Sequence, residues 1–129
     1  MPHFTAEYSA NLEDSVDFQS LFKIVNEFLG NTGVFPLGGI RSRAIRLEKY
    51  RVADGQHDYA FVHMSLKVGS GRDLDTRQKV ASELFALIEQ FFQPLKIQRL
   101  LAISFEMTEL DPVLNFKSNN IHKFLRNQA

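Results

Sequence analysis

The second residue is a proline, and the residue before it is the initiator methionine. A methionine followed by so small a residue is normally trimmed, which would leave Pro2 with a free secondary amine. Burial and neighbouring positive charge both disfavour the protonated form of such an amine, bringing its pKa toward neutrality, where it works as a general base. Phe4 and Phe61 are the candidates to desolvate it. Arginines follow glycines at two places, Gly38-Gly39-Ile40-Arg41 and Gly69-Ser70-Gly71-Arg72. Backbone can approach a ligand closely there, and a guanidinium offers a carboxylate two parallel donors. The blander readings are a rigid start to an edge strand for Pro2 and solvated rim positions for Arg41 and Arg72. Arg43, Arg46, Lys49 and Arg51 continue the cationic run with Glu48 among them, as a solvated strand face or a subunit contact does.

Other chemistries lose their usual residues. The 129-residue chain has no cysteine, which removes a thiolate nucleophile, a disulfide framework and sulfur-ligated metal, and makes a reducing, cytoplasmic setting the simplest home. His3, His57, His63 and His122 show no metal-ligand spacing, so no metal is expected. No GxSxG is present, and Gly69-Ser70-Gly71 lacks the Lys-Ser/Thr of a phosphate cradle. Lys plus Arg and Asp plus Glu both number 15, so no global field draws nucleic acid or an anionic membrane, and any anion preference is local. The first residues carry no basic segment with an apolar run behind it, and Leu100 to Ile103, the longest apolar run, is far too short to span a bilayer.

The elements that must hold Pro2 and the arginines follow from periodicity. Phe4, Ala6 and Tyr8 alternate with polar residues, so a strand starts almost at the first residue and fixes the amine. Ser15 caps a helix whose apolar positions Phe18, Leu21, Phe22, Val25, Phe28 and Leu29 form one stripe, ended by Gly30. Residues 33–39 (GVFPLGG) read as a loop that delivers Arg41 to the head of a strand over 40–50. Residues 59–68 alternate as a third strand, and 69–72 close it. Asp75, with Gln78 three positions on, opens a second one-faced helix through Val80, Leu84, Leu87, Ile88 and Phe91, stopped at Pro94. Residues 99–107 form a last strand, and the tail from Pro112 is a short helix or a covering arm.

Strand, helix, strand therefore occurs twice, as half-repeats over about 2–52 and 58–110 of one domain spanning 1–129, with an arm over 111–129. Right-handed crossovers put both helices on one face of a four-stranded α+β sheet. The other face, given apolar alternation on the strands, needs a partner, and oligomerisation supplies it.

Pro2, Gly39-Ile40-Arg41, the stretch Ala53 to Met64 (ADGQHDYAFVHM) and Leu114-Asn115-Phe116-Lys117 resemble the 5-carboxymethyl-2-hydroxymuconate isomerase family of the tautomerase superfamily. The resemblance runs over essentially the whole chain, and the twelve-residue stretch is its most specific part. It implies a duplicated βαβ fold assembled as a homotrimer and a cofactor-free proton shift in bacterial homoprotocatechuate breakdown. It implies Pro2 as the base, with Arg41 and Arg72 on the carboxylates of a dicarboxylate or tricarboxylate substrate; Arg43 and Phe116 are further substrate-binding candidates. Only one half-repeat can carry a free amine, so one site per chain and three per trimer are expected, with an arginine supplied across a subunit boundary. Two other functions stand beside this one: keto-enol tautomerisation of phenylpyruvate-like compounds and a non-catalytic trimeric binding module.

Overall fold

The computed structural model describes residues 1–128. Strand β1 (His3–Ser9) leads into helix α1 (Phe18–Asn31), and a 3-10 turn at Leu37–Gly39 precedes strand β2 (Arg41–Leu47). Strand β3 (Ala60–Val68), helix α2 (Leu74–Gln98) and strand β4 (Leu101–Glu109) repeat the pattern, and helix α3 (Ile121–Gln128) ends the described chain. The sheet order is β2-β1-β3-β4. The pairs β1–β2 and β3–β4 are parallel and β1–β3 is antiparallel, so the two halves meet head to tail. Among the described residues no helix is long and apolar enough to cross a membrane.

The core lies between the sheet and the two long helices. Phe4, Ala6 and Tyr8 of β1 and Ala60, Val62, Met64, Leu66 and Val68 of β3 are buried against Leu21, Val25 and Leu29 of α1 and Val80, Leu84, Ile88 and Phe92 of α2. The opposite face corrects the expectation of apolar alternation. His3, Thr5 and Glu7 stand in register with Arg41, Arg43 and Ile45 on one side and with Lys67, Ser65 and His63 on the other. The apolar sets of β1, β3 and β4 are consumed by the helices, which leaves a mostly polar open face to which β2 contributes Ile45 and Leu47.

Several boundaries also move. Asp17 rather than Ser15 caps α1, its carboxylate accepting from the Gln19 and Ser20 amides, while Ser15 Oγ accepts from Arg99 Nη1 at 3.1 Å. A carboxylate outcompetes a hydroxyl at the positive end of a helix. Asp73 caps α2 through the Thr76 amide at 2.7 Å, and Asp75 sits inside the first turn. The helix runs through Pro94 to Gln98, because a proline costs it one hydrogen bond while Leu95 still packs on the core. Gly30 does not end α1. A Cβ there would lie 3.3 Å from Leu37 Cδ1, so this glycine admits Leu37, and Gly33, at φ +76°, makes the turn after the helix.

Candidate active site

Because β1 begins at His3, residue 2 is already held: its carbonyl accepts from the Arg41 amide at 3.1 Å, and Pro2 is buried. The glycines ahead of Arg41 are small because two other elements close on them. A Cβ on Gly38 would lie 2.9 Å from His122 Nδ1 and 3.0 Å from the His122 backbone nitrogen, and one on Gly39 would lie 3.1 Å from Met1 Cγ. The turn therefore seats α3 and the chain start together and sets Arg41 beside them. The Arg41 guanidinium spans His3 and Met1, with Nη1 3.0 Å from His3 Nε2 and Nη2 3.5 Å from Met1 Sδ.

Arg72 stands across the chain start from Arg41. Its guanidinium donates to the Gly69 carbonyl at 3.1 Å and the Val34 carbonyl at 3.2 Å, and lies over the Phe35 ring at 4.5 Å. A Cβ on Gly69 would be 3.7 Å from Arg72 Nη1 and 3.9 Å from the Met1 nitrogen, ordinary contact distances that put amine and guanidinium on either side of the same short stretch of backbone.

A cavity of about 410 Å³ opens at this end of the sheet, walled by Met1, His3 and Arg41 on one side and by Asn115, Phe116 and Lys117 on the other. Burial lowers the pKa of the chain-start amine, and Lys117, Arg72 and Arg41 lower it further, in that order. The pKa of His3 is lowered by burial first, then by Arg41, Arg43, the amine and Lys67. Among the described residues Arg41, Arg43, Lys67, Arg72 and Lys117 form no ion pair, whereas Arg46, Arg77 and Arg99 do. A cavity bordered by unpaired cations suits a small molecule with several carboxylates. No group of acidic or histidine side chains among the described residues has the arrangement of a metal site.

The sequence candidates divide accordingly. Arg41 and Phe116 line the cavity, with Phe116 86 % exposed, while Pro2 is buried between the lining residues Met1 and His3 and is tied to Arg41 through its carbonyl. Arg72 flanks the amine from outside the lining. Arg43 is two register pairs further along β2 on the same face, its Nη1 3.2 Å from His3 Nδ1. Phe4 is fully buried beneath the strand, 6.5 Å from Phe22 between ring centroids. Phe61 is not near Pro2: β3 runs antiparallel to β1, so its Val68 end reaches the site while Phe61 pairs with Ala102 at the far end and packs on Tyr50 at 6.0 Å. Three residues were not singled out for the site from sequence: His3, Lys117 and Asn119. The cation beside an aromatic in Leu114-Asn115-Phe116-Lys117 was the available signal.

The fold and site define a duplicated βαβ protein with a proline at the head of an interior strand and a cationic cavity at that end of the sheet. The fold accords with a fused 4-OT symmetric trimer, 13 % identical, with a TM-score of 0.54 over 90 % of this chain and 93 % of that one, a likeness of fold alone. Residues 2–125 match the family model for 5-carboxymethyl-2-hydroxymuconate isomerase, and the chain belongs to that family. It is 52 % identical over 126 residues to the 5-carboxymethyl-2-hydroxymuconate Delta-isomerase of Escherichia coli, covering 98 % of this chain and all of that one. The crystal structure of a 5-carboxymethyl-2-hydroxymuconate isomerase from Deinococcus radiodurans R1 is 37 % identical, with a TM-score of 0.86 over 97 % of this chain and 94 % of the other. The chain is thus an isomerase by family.

Proposed function

We propose that the protein isomerises 5-carboxymethyl-2-hydroxymuconate to 5-oxopent-3-ene-1,2,5-tricarboxylate, with the free amine of Pro2 as general base, in the cytoplasmic breakdown of homoprotocatechuate. The observation that carries this reading is a buried chain start bordered by Arg41, Arg72 and Lys117 with no carboxylate paired to any of them among the described residues. Loss of Met1 moves the amine one residue inward, to a position that is fully buried in strand pairing on its carbonyl side. It also frees two donors, since Arg41 Nη2 and Asn119 Nδ2 both point at the Met1 sulfur, at 3.5 and 3.2 Å. A thioether is a weak acceptor, and a carboxylate oxygen in that space gains charge-assisted bonds.

In this mechanism the Pro2 nitrogen takes the proton of the 2-hydroxyl. The O–H electron pair becomes the C2=O bond, the C2=C3 pair moves to C3=C4, and the former C4=C5 pair takes a proton at C5 from the prolinium. One proton leaves oxygen and one arrives at carbon, so nothing is oxidised or reduced and no cofactor enters. Arg41 and Arg72 hold carboxylates and stabilise the dienolate as charge develops, and fixing the chain lets one nitrogen serve both ends. Arg43 keeps His3 and Arg41 in place, and Phe116 covers the polyene. The domain spans 1–129 with the half-repeats and arm described from sequence, and it acts as a homotrimer with one site per chain, a reading supported by the trimeric 4-OT relative and by the exposed Leu114, Phe116 and Phe124 of the arm.

An ultraviolet isomerisation assay on wild type, Pro2→Ala and Arg72→Ala tests the proposal. Pro2→Ala is expected to lose about a hundredfold or more in kcat, and Arg72→Ala about ten- to a hundredfold in kcat/KM. Wild-type turnover by Pro2→Ala would remove the base assignment, and wild-type turnover by Arg72→Ala alone would move the carboxylate clamp elsewhere.

A further inference from the structure

The segment between β4 and α3 crosses the cavity mouth as a strap fastened at both ends. At its start the Leu110 amide donates to the Val68 carbonyl at the end of β3, at 2.7 Å. At its end Asn119 donates through Nδ2 to the Gly38 carbonyl at 2.9 Å and accepts from the Ile121 amide at 2.6 Å, tying the strap to the turn before β2 and to the head of α3. Between these anchors Lys117 lines the cavity opposite Arg41, with no acidic partner among the described residues. Cations from three separate elements thus border the amine: Arg41 from β2, Arg72 from the loop before α2, and Lys117 from the strap.

We propose that Lys117 receives the substrate's third carboxylate, the one on the carboxymethyl branch, and so sets the preference for a tricarboxylate over a dicarboxylate, with Asn119 as the positioning residue that keeps the strap over the cavity. This deepens the proposed function and rests on it. Two guanidiniums account for the two carboxylates of the muconate chain, and the branch at C5 carries the third. An ammonium, a compact point charge on a long stem, suits a carboxylate on a flexible methylene arm, where a bidentate fork has no fixed partner. The charge of Lys117 reaches the site strongly enough to be the largest electrostatic influence on the chain-start amine.

The test uses the full-length, Met1-trimmed protein on the alkaline plateau of each variant's own kcat/KM profile, where the amine is fully free base, so that removing a charge does not change the base itself. Turnover of 5-carboxymethyl-2-hydroxymuconate is compared with that of 2-hydroxymuconate, which lacks the branch. Lys117→Ala is expected to raise KM for the first roughly tenfold with kcat/KM for the second within about twofold, and Lys117→Arg to recover most of the loss. Asn119→Ala is expected to follow Lys117→Ala in direction with a smaller effect. Equal loss on both substrates, or none on either, overturns the proposal.

Binding of propane-1,2,3-tricarboxylate and glutarate, followed by calorimetry, reads the same preference without turnover. Weaker binding of the tricarboxylate alone in Lys117→Ala supports Lys117 even if Pro2→Ala proves fully active, and that separates failure of this inference from failure of the mechanism. An undiminished tricarboxylate preference in Lys117→Ala overturns it.

Discussion

The amine at the chain start is held below its ordinary value of 8.0, first by burial and then by Lys117, Arg72 and Arg41. Each positive neighbour disfavours the protonated form, so removing one raises the pKa and shrinks the free-base fraction at a given acidic pH. The acid limb of the kcat/KM profile is therefore expected below the ordinary range of a prolyl amine in the trimmed protein and displaced to higher pH in Lys117→Ala and Arg72→Ala. A limb that stays in place in both variants would contradict the electrostatic account. His3 behaves in the same sense. Its pKa in the fold lies below the ordinary 6.5, so the neutral imidazole contributes stability that is present above about pH 6.5 and is lost as pH falls and the ring must charge between Arg41 and Arg43. Urea midpoints across that range are expected to fall less steeply in His3→Gln than in wild type. The closeness of Arg41 and Arg72 to the chain start was legible from sequence because glycine-flanked arginines at strand ends announce themselves. Lys117 was not, since nothing periodic connects residue 117 to residue 2.

At the scale of elements, alternation and helical spacing identified every strand and both long helices, because each has one apolar set and one partner. The ends were less legible. Caps are decided by which nearby acceptor reaches the free amides, and Asp17 and Asp73 do so where Ser15 and Asp75 do not. The proline at 94 was read as a stop, yet tertiary packing of Leu95 carries the helix past it. The placing of α3 was beyond reach because it depends on the space above Gly38. That space yields a prediction: a Cβ at Gly38 would press on the His122 backbone, which cannot rotate away, so Gly38→Ala is expected to lift α3 and slacken the strap behind it. Faster amide exchange over residues 121–128 and a KM raised several-fold, with β1 and β3 exchange unchanged, is the expected pattern. Unaltered α3 exchange would mean that the turn yields instead.

For the whole molecule, the antiparallel pairing of the interior strands β1 and β3 puts the starts of the two halves' equivalent strands at opposite ends along the strand direction, and only β1 starts beside residue 1. Duplication was readable in the sequence. The sheet's open face was misread as apolar, since alternation alone does not say which side a polar set covers. Half-buried polar residues such as Thr5, Glu7, His63 and Ser65 line it instead. Assembly by the polar face and the apolar arm is expected to give a solution mass about three times the 14.8 kDa chain, with kcat per chain falling as the assembly is diluted apart. The central claim, that a free Pro2 amine moves the proton, is tested most directly by preparing the protein with Met1 retained, removing Met1 stepwise with an aminopeptidase, and recording intact mass and isomerase rate at each step. The account predicts a rate proportional to the trimmed fraction and close to zero at the start, whereas full activity while Met1 is still attached would contradict it.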